Sequence, residues 1–384
     1  MTNNKLTYII PAFNADIKTL NRLLHSIYAQ SISVDIIIVS DGDNIDYMET
    51  APIPPVGFTL RQISLKKNEG PGVARQTGIN ESNTPYIAFS DADDLLASPL
   101  IAENAVRVLE LNPVIMVASY VFLQPNDELT QFIPHENDMI WTFGKYYRRE
   151  FLNKYKIEFP NTRANEDTCF NKKCVLLADN EREKIVFFKD AAYIWMPNKN
   201  SITRINNGQY GNDRCFAGWL EAMQEATKHA RKYRPFSGHI LQDIATTMIQ
   251  AYFYHIKCIK ESPIFAPQQW YYIKKYYHET YTELADKISD EALAEIYSIL
   301  YAQNARNLIS IIPPFGIREY FEKLKNEPYN PDEIYTIWQE MRKTQPDLLD
   351  NNVKCGVMPK NYWLKSVKTT NTKPNKKLDK HSKN

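Results

Sequence analysis

Cysteine, glycine and long apolar runs are scarce in this chain, and each shortage restricts what the protein can be. Its 384 residues include five cysteines, whose spacing fits no metal site: Cys169, Cys174, Cys215, Cys258 and Cys355. Reduced thiols are the simplest account of them and favour a cytoplasmic protein. No apolar run reaches the roughly 20 residues that cross a membrane. Twelve glycines beside abundant Asn, Lys, Ile and Tyr are typical of an AT-rich genome, bacterial or viral.

The start of the chain resembles no targeting segment, because residues 1–5 (MTNNK) lead directly into an apolar strand pattern. We therefore expect neither a signal peptide nor a transmembrane span. The expected location is the cytoplasm, with attachment to a membrane surface left open.

Charge is nearly balanced over the whole chain, at +1, but it is unevenly distributed. Seven lysines and one aspartate give residues 365–384 a charge of +6, which leaves −5 for the remainder. This tail has few apolar residues and is predicted to be disordered. Contact with an anionic membrane or with nucleic acid through the tail is one interpretation. A terminus that only increases solubility is the other.

Three regions differ in their sequence pattern. Residues 1–207 alternate short apolar runs with helical spacing, residues 208–362 carry long helical patterns interrupted by prolines, and residues 363–384 form the basic tail. The long patterns cover residues 216–231, 240–259, 268–285 and 291–303. We predict a catalytic domain, a helical C-terminal domain and a tail. The helical domain is expected to recognise an acceptor or a partner, or to mediate oligomerisation.

The first hundred residues predict an open α/β sheet. Strand patterns at 6–13, 34–39, 60–65 and 86–89 alternate with helical patterns at 17–29 and 72–79. Ligands of such sheets bind outside the carboxyl ends of the strands. Polar residues follow all four strands at that edge: Asn14, Asp41, Asn68 and Asp91. The pattern therefore predicts a binding site there.

The fourth strand ends in three carboxylates within four residues, Asp91, Asp93 and Asp94. Like charges this close repel one another unless a cation neutralises them. Mg²⁺ binds through one or two carboxylates together with substrate phosphates. Asp-x-Asp at a strand end therefore favours a site for a metal and a diphosphate. The alternative interpretation is a polar loop whose aspartates cap the next helix.

Seven segments, in a fixed order over about 200 residues, resemble the motifs of the family 2 glycosyltransferases. They are residues 10–14 (IPAFN), 39–44 (VSDGDN), 68–79 (NEGPGVARQTGI), 91–94 (DADD), 144–152 (GKYYRREFL), 165–170 (NEDTCF) and 201–204 (SITR). The second is similar to the family's (D/N/S)DGS motif, the fourth to DxDD and the sixth to its ED motif. The third matches NxGxxxARNxGI except that Gln76 replaces the usual Asn. Nothing after about residue 207 takes part in this resemblance.

The resemblance implies a GT-A fold, an open mixed sheet with flanking helices, followed here by the helical region. It also implies a nucleotide-sugar donor, UDP-sugar rather than GDP-sugar, although guanine offers a similar imide N–H. Asp41 would accept that N–H beside Pro11 and Phe13. Asp93 would bind Mn²⁺ or Mg²⁺, and Asp91 would bind the metal or the ribose. The other residues carried over to the donor site are Asn14, Asn68, Gly70, Arg75 and Arg204.

The same resemblance places the catalytic base at Asp167, with Glu166 beside it. A carboxylate there would accept the proton of the acceptor hydroxyl and give an inverting transfer. Because Asp167 also opens a helical pattern, a helix cap is the competing interpretation. Trp141 is either a stacking surface for an acceptor sugar or a core residue.

Two other functions stay open from the sequence. A nucleotidyltransferase would need a Gly-rich phosphate loop with Arg and Lys after the first strand, and residues 11–14 (PAFN) lack one. A catalytically silent binding or scaffold protein is the second alternative, and retention of the acidic residues argues against it. The acceptor is expected to be a polysaccharide, cell-surface glycan or other polymer, with modified DNA as a further alternative.

Overall fold

The fold is a single curled sheet with helices on both faces, followed by a helical region. In this computed structural model the described residues are 4–124, 131–161, 165–178, 182–198, 211–235, 237–308 and 315–344. Arg204 and the basic tail lie outside them. The strands are β1 (Leu6–Ala12), β2 (Asp35–Ser40), β3 (Thr59–Ser64), β4 (Tyr86–Phe89), β5 (Leu95–Leu96), β6 (Ile115–Gln124), β7 (Gln131–His135), β8 (Lys145–Arg148) and β9 (Ile185–Trp195).

Within the described residues the helices fall into two groups, five that flank the sheet and six that follow it. The first group is α1 (Ile17–Tyr28), α2 (Pro71–Glu81), α3 (Ile101–Glu110), α4 (Arg149–Lys154) and α5 (Glu166–Leu177). The second group is α6 (Gly211–Arg231), α7 (Gly238–Glu261), α8 (Ala266–Tyr276), α9 (Asp290–Leu308), α10 (Ile317–Asn326) and α11 (Glu333–Thr344).

The sheet order is β3-β2-β1-β4-β8-β6-β9-β5, with β7 paired to β6. Strands β1 to β4 are mutually parallel, so their carboxyl ends share one edge. The sheet becomes mixed at β8, which runs antiparallel to both β4 and β6. The predicted mixed α/β sheet is therefore confirmed, and the four polar strand ends lie side by side.

Each face of the sheet has its own apolar core, because successive side chains of a strand point to opposite faces. On β1, Ile9 belongs to the core beneath α2 and α5, whereas Tyr8 and Ile10 belong to the core beneath α1 and α3. Helix α1 contributes a stripe at helical spacing from Leu20 to Ile27. Burial on both faces explains why the inner parallel strands β1, β2 and β4 are mostly apolar, whereas the edge strand β3 carries Arg61 and Gln62.

Helix α5 joins the sheet to the helical region. Cys169 and Phe170 of α5 and Phe216 of α6 belong to one continuous core cluster, which runs from the sheet to Trp338 of α11. Two lysines of α5 bond to the helical region: Lys172 donates to Asp243 at 2.5 Å and Lys173 donates to Glu225 at 2.8 Å. The division of the chain at residue 207 stays a prediction, but the two predicted parts share this core.

The pattern at residues 268–285 predicted one helix and is divided in the structure. Helix α8 ends at Tyr276, a π-helical turn covers Tyr277–Tyr281, and a 3₁₀ turn covers Ala285–Lys287. Among the described helices, none is long and apolar enough to cross a membrane.

Gly78 sets the distance between α2 and β1. A Cβ at this position would lie 2.3 Å from Cγ2 of Ile9, so the helix packs directly on the strand. We expect Gly78→Ala to lower the free energy of unfolding by about 1–3 kcal/mol, the usual cost of overpacking. Urea unfolding followed by circular dichroism would measure it.

The matched control for this prediction is Gly238→Ala at the first residue of α7, where a Cβ would meet no atom within 4 Å. This variant should match or slightly exceed the parent in stability. Equal stability of the two alanine variants would contradict the packing argument.

Candidate functional site

Asp41, directly after β2, is buried and holds the loop that precedes α2. It is 3% exposed. Its two carboxylate oxygens accept the backbone N–H groups of Glu69 and Gly70, each at 2.8 Å. Burial raises the pKa of Asp41 above its usual value, although both N–H bonds oppose the shift. Each oxygen keeps a further lone pair, so the carboxylate can still accept from a ligand.

Gly42 lets this loop approach the end of β2. Its φ is +76°, and a Cβ would lie 2.2 Å from the backbone carbon of Lys67. A side chain is therefore excluded by both conformation and space. The close approach places Asn68 and Gly70 beside Asp41, as the sequence predicted.

Asp43 organises the loop after β1, a role that sequence reasoning missed. Its carboxylate accepts from the Asn14 backbone N–H at 2.8 Å, from the Ser40 hydroxyl and from Tyr47 Oη, which in turn accepts the backbone N–H of Ala15. Burial raises the pKa of Asp43, but these hydrogen bonds outweigh burial and hold the pKa below its usual value. The signal was present in the run Asp41-Gly42-Asp43.

The loop fixed by Asp43 presents an aromatic ring at the strand edge. Phe13 is 49% exposed, although it follows a strand in which every residue except half-buried Pro11 is buried. Asn14 adopts φ +48°, a left-handed conformation that Asn tolerates better than most residues. The exposed ring of Phe13 offers a flat apolar surface near buried Asp41, and such a surface suits a planar group.

Arg75 of α2 connects two motifs that lie far apart in sequence. It is 6% exposed, and its guanidinium donates to Asp91 Oδ1 at 2.8 Å and to Glu166 Oε1 at 2.9 Å. Burial lowers the pKa of Arg75, but the carboxylates of Asp91 and Glu166 outweigh it and hold the pKa above its usual value. One charged side chain therefore fixes the Asp-x-Asp loop relative to the start of α5.

The third aspartate of the loop has a structural role. Buried Asp94 accepts from Tyr193 Oη at 2.7 Å and from the Met196 backbone N–H at 2.7 Å. Tyr193 Oη also accepts the Asp91 backbone N–H at 2.9 Å. Burial, together with the charges of Asp91 and Asp93, raises the pKa of Asp94 well above its usual value. No local pattern pointed to Tyr193, which lies 99 residues from Asp94 in the chain.

Asp91 and Asp93 are the partly exposed carboxylates of the Asp-x-Asp loop. The side chain of Asp91 is 35% exposed, and Asp93 Oδ2 accepts from Asn198 Nδ2 at 2.6 Å. Within the described ranges, no three His, Cys, Asp or Glu side chains are grouped to hold a metal ion by themselves. Two carboxylates fit a hard cation that takes its remaining ligands from a diphosphate.

Asp167 lies in the first turn of α5, beside the Arg75–Glu166 pair. Its carboxylate accepts the Thr168 backbone N–H at 2.7 Å. Burial, together with the neighbouring negative charge of Glu166, raises the pKa of Asp167 to about 7, against the opposing charge of Arg75. Asn165, the residue before the first residue of α5, has φ +60°. A carboxyl group that titrates near neutrality is suited to exchanging protons with a substrate.

One turn along α5, buried Asn171 fixes the loop before β8. Its side-chain amide donates to the backbone carbonyls of Ile140 and Trp141 at 2.9 and 2.8 Å and accepts from Tyr147 Oη at 2.7 Å. Asp138 secures the same loop from within, because it accepts the backbone N–H groups of Ile140 and Trp141. Trp141 is thereby fixed to the helix that carries Asp167.

Lys145 lies beneath this loop, and its side chain is 1% exposed. Among the described residues, its ammonium group has long hydrogen bonds only, at 3.5 Å to Asp138 Oδ1 and 3.5 Å to the Phe143 carbonyl. Burial lowers the pKa of Lys145 to about 8, although Asp138 and Asp167 oppose the shift. The sequence motif at residues 144–152 drew attention to this segment without indicating the buried charge.

The structure thus brings most of the predicted residues to one edge of the sheet. Direct hydrogen bonds join Asp41 to Gly70, and Arg75 to Asp91 and Glu166. Arg204 lies outside the described residues, so its predicted contact with the diphosphate stays a prediction. The arrangement can hold a planar group near Asp41, an anion with a cation near Asp91, and a titratable carboxyl at Asp167.

Comparison with known proteins agrees with this arrangement. Residues 7–169 match the family model described as glycosyl transferase family 2. The uncharacterized glycosyltransferase EpsJ of Bacillus subtilis (strain 168) is 27% identical over 223 residues, 52% of this chain and 63% of the relative. The poly(ribitol-phosphate) beta-N-acetylglucosaminyltransferase TarP of Staphylococcus aureus (strain N315) is 25% identical over 193 residues, 46% of this chain and 59% of TarP. The chain therefore spans less than two thirds of the length of each relative.

Solved structures show the same fold over most of the chain. Residues 1–349 of S. aureus TarS in complex with UDP-GlcNAc superpose with a TM-score of 0.55 at 15% identity, covering 79% of this chain and 92% of that one. The same TarS fragment in complex with UDP gives a TM-score of 0.51 at 16% identity. The predicted GT-A fold is confirmed, and the match extends beyond the catalytic motifs.

The raised pKa of Asp167 predicts a pH-dependent stability. The folded protein holds this proton up to about pH 7, whereas an unfolded chain releases it near 3.8. Between these values the folded state binds more protons, so its stability falls as pH rises. Asp167→Asn removes the ionisation, and we expect its melting temperature to exceed that of the parent by more at pH 8 than at pH 4.

The control for this prediction is Asp190→Asn, at an exposed carboxylate on β9. Its melting temperature should follow that of the parent at both pH values. A difference between Asp167→Asn and the parent that is the same at pH 4 and pH 8 would contradict the raised pKa.

Proposed function

Because residues 7–169 match the family model described as glycosyl transferase family 2, we propose that the protein transfers a sugar from a nucleotide-diphosphate donor to an acceptor hydroxyl. The observation that carries the proposal is the pair of ion pairs made by Arg75. These ion pairs connect Asp91, the carboxylate proposed for the donor diphosphate, to the first turn of α5. That turn carries Asp167, the candidate general base. A transferase needs these two groups on opposite sides of the reacting carbon.

The donor that we propose is a UDP-sugar. Buried Asp41 can accept the imide N–H of uracil, and half-exposed Phe13 with Pro11 gives the base an apolar surface. Asn14, Asn68 and Gly70 are proposed to contact the same donor, since the backbone N–H groups of Asn14 and Gly70 are held by Asp43 and Asp41. The TarS fragment with the same fold is solved with UDP and with UDP-GlcNAc, which supports a uridine donor here.

Asp91 and Asp93 would hold Mn²⁺ or Mg²⁺ together with the donor. When bound, such a cation stabilises negative charge on the departing nucleoside diphosphate. Asp91 is already oriented by Arg75 and Asp93 by Asn198, so both carboxylates are positioned before the donor arrives. Arg204 is proposed to contact the same diphosphate.

Asp167 is proposed as the general base. It would accept the proton of the acceptor hydroxyl while that oxygen attacks the anomeric carbon opposite the diphosphate. The configuration at that carbon is then inverted, and no protein nucleophile takes part. Glu166, bonded to Arg75, supports the position of Asp167 and adds negative charge that makes it more basic.

The acceptor is proposed to be a polymer. TarP is named for transfer to poly(ribitol-phosphate), and a further relative, from Staphylococcus epidermidis, is named teichoic acid poly(glycerol phosphate) polymerase. We propose that the helical region contributes to acceptor or partner recognition, since α6 packs against the helix that carries Asp167.

The metal assignment predicts that EDTA abolishes transfer and that Mn²⁺ or Mg²⁺ restores it. Asp93→Asn should reduce turnover by roughly 100-fold or more, because it removes one negative cation ligand. The melting temperature without ligands should be little changed. Nucleotide release from UDP- and GDP-sugars with each cation would measure turnover.

Asp190→Asn, which removes an exposed carboxylate on β9, is the matched control for charge and should retain parental turnover. Full activity of Asp93→Asn in EDTA would overturn the metal assignment. Preference for GDP-sugars would overturn the proposal that the nucleobase of the donor is uracil.

The base assignment predicts that Asp167→Asn lowers turnover by roughly 10²–10⁴-fold, the usual contribution of a general base. Donor affinity should persist, because the variant leaves Asp41, Asp91 and Asp93 in place. With an α-linked donor, NMR of the product should show a β linkage. An α-linked product, or near-normal turnover of Asp167→Asn, would place the base elsewhere, and Glu166 would be tested next.

A further inference from the structure

The most exposed apolar side chains lie in two turns, each of which leads into a strand of the sheet. Among the described residues, the three large apolar side chains with the highest exposure are Val56 at 100%, Ile53 at 92% and Leu111 at 82%. Ile53 and Val56 precede β3, and Leu111 precedes β6. We call residues 53–57 the first turn and residues 110–113 the second turn.

Both turns lie at the amino edge of the sheet, the edge at which β1 to β4 and β6 begin. Just before β1, the side-chain amide of Asn4 donates to the carbonyl of Gly57 in the first turn at 2.9 Å. The next residue, Lys5, forms an ion pair with Glu110 of the second turn. The start of β1 therefore lies between the two turns, and the candidate donor site lies at the opposite edge.

Cations surround the second turn. Arg148 and Arg149, at the end of β8 and the start of α4, donate to backbone carbonyls of residues 83–84, 109 and 113. Arg182 and Lys184, before β9, line one depression together with Leu111. Within the described ranges, none of these four cations forms an ion pair with a carboxylate. Their positive charge is therefore available to an anionic surface.

The acids of the amino edge compensate this charge only in part. Three of them are already in ion pairs with other cations, namely Glu81, Glu110 and Glu183. Asp35 is partly buried and accepts two neutral side-chain hydrogen bonds, whereas Glu150 is exposed. Asp179 and Glu181 lie outside the described residues. In the described part of this edge, cations without an acidic partner therefore predominate.

The spacing of the two turns favours a lipid surface over a protein partner. Five strand spacings separate β3 from β6 in the sheet, which is roughly 24 Å at about 4.8 Å for each spacing. A protein partner would need a contiguous apolar core between the turns. The interfacial layer of a bilayer takes up separate apolar side chains, and anionic headgroups attract nearby Lys and Arg.

We propose that the amino edge docks on an anionic phospholipid surface. Ile53, Val56 and Leu111 would enter the interfacial layer, and the four cations around the second turn would lie against the headgroups. The candidate donor site then faces away from the lipid, because it lies at the carboxyl ends of the same parallel strands. This inference does not depend on the proposed transferase function, and it concerns a surface other than the basic tail.

The test measures the partition coefficient of the full chain on sedimented vesicles. One vesicle is phosphatidylcholine alone, and the other is equal parts phosphatidylcholine and phosphatidylglycerol. We expect tighter binding to the mixed vesicles, and that binding should weaken as salt is raised. Leu111→Gln and Val56→Gln should each lower the partition coefficient roughly three- to tenfold. Lys184→Gln should lower it roughly fivefold.

The matched controls lie at the opposite edge of the sheet. Ile140→Gln replaces an apolar side chain that is 52% exposed in the loop before β8. Lys66→Gln replaces an exposed lysine just after β3. Both variants should partition like the parent. Since all five substituted side chains are exposed, their melting temperatures should stay close to that of the parent, which separates loss of docking from loss of folding.

Failure of the parent to bind the mixed vesicles would overturn the inference, as would equal binding of Leu111→Gln and Ile140→Gln. A loss in Lys184→Gln without a loss in Leu111→Gln would indicate a soluble polyanion instead of a bilayer. A dimer detected by sedimentation velocity without lipid, and lost in Leu111→Gln, would assign this edge to a second copy of the chain. Donor cleavage is measured in parallel, and lipid binding without cleavage would leave this inference standing while overturning the transferase function.

Discussion

The buried guanidinium of Arg75 is the interaction on which the candidate site depends. It bonds to Asp91 on one side and Glu166 on the other, at 2.8 and 2.9 Å. Removing one member of a buried ion pair typically costs about 3–5 kcal/mol, because the partner charge is left uncompensated. Here two carboxylates would lose their partner together. The charge of Arg75 also limits how far the neighbouring acids can raise the pKa of Asp167.

The guanidinium is not fully satisfied. Within the described part of the chain, Arg75 Nε is buried without a hydrogen-bond partner, and the ring of Phe159 lies 6.0 Å from the guanidinium carbon. A buried donor without an acceptor costs free energy. The free-energy cost of the unpaired Nε is offset by the two terminal nitrogens of the guanidinium, which bond to Asp91 and Glu166 and fix their positions.

Much of the fold was predictable because the parallel half is encoded locally. Strand β4 was predicted at its observed bounds, and β1, β2 and β3 were predicted to within one residue. Strands β1, β2 and β4 are largely buried on both faces, so continuous apolar runs identify them, whereas β3 is partly exposed and was predicted from the spacing of its apolar residues. Helix α8 was predicted too long, because apolar spacing alone does not show where an α-helix gives way to a π turn.

The site was predictable to the extent that it lies at strand ends. Asp41, Arg75 and Asp91 follow directly from the strand pattern and the motifs, but their partners do not. Tyr193 and Asn198 reach the Asp-x-Asp loop across about 100 residues, and nothing local to β9 shows it. The contact between α5 and the helical region also depends on tertiary packing. The change in sequence pattern near residue 207 therefore did not show that the two regions share one apolar core.

The buried position of Asp94 has a consequence for how the acidic motif is dissected by mutagenesis. Its carboxyl group accepts hydrogen bonds from Tyr193 and from Met196, which follows β9, and so holds the loop in place. A screen that records only the loss of product cannot separate a ligand-binding role from a structural one. The motif contains two kinds of residue, since Asp91 and Asp93 are partly exposed and are proposed to bind the donor with its cation, whereas buried Asp94 holds the loop in place. Family motifs read as runs of letters merge these two kinds, and the hydrogen bonds separate them.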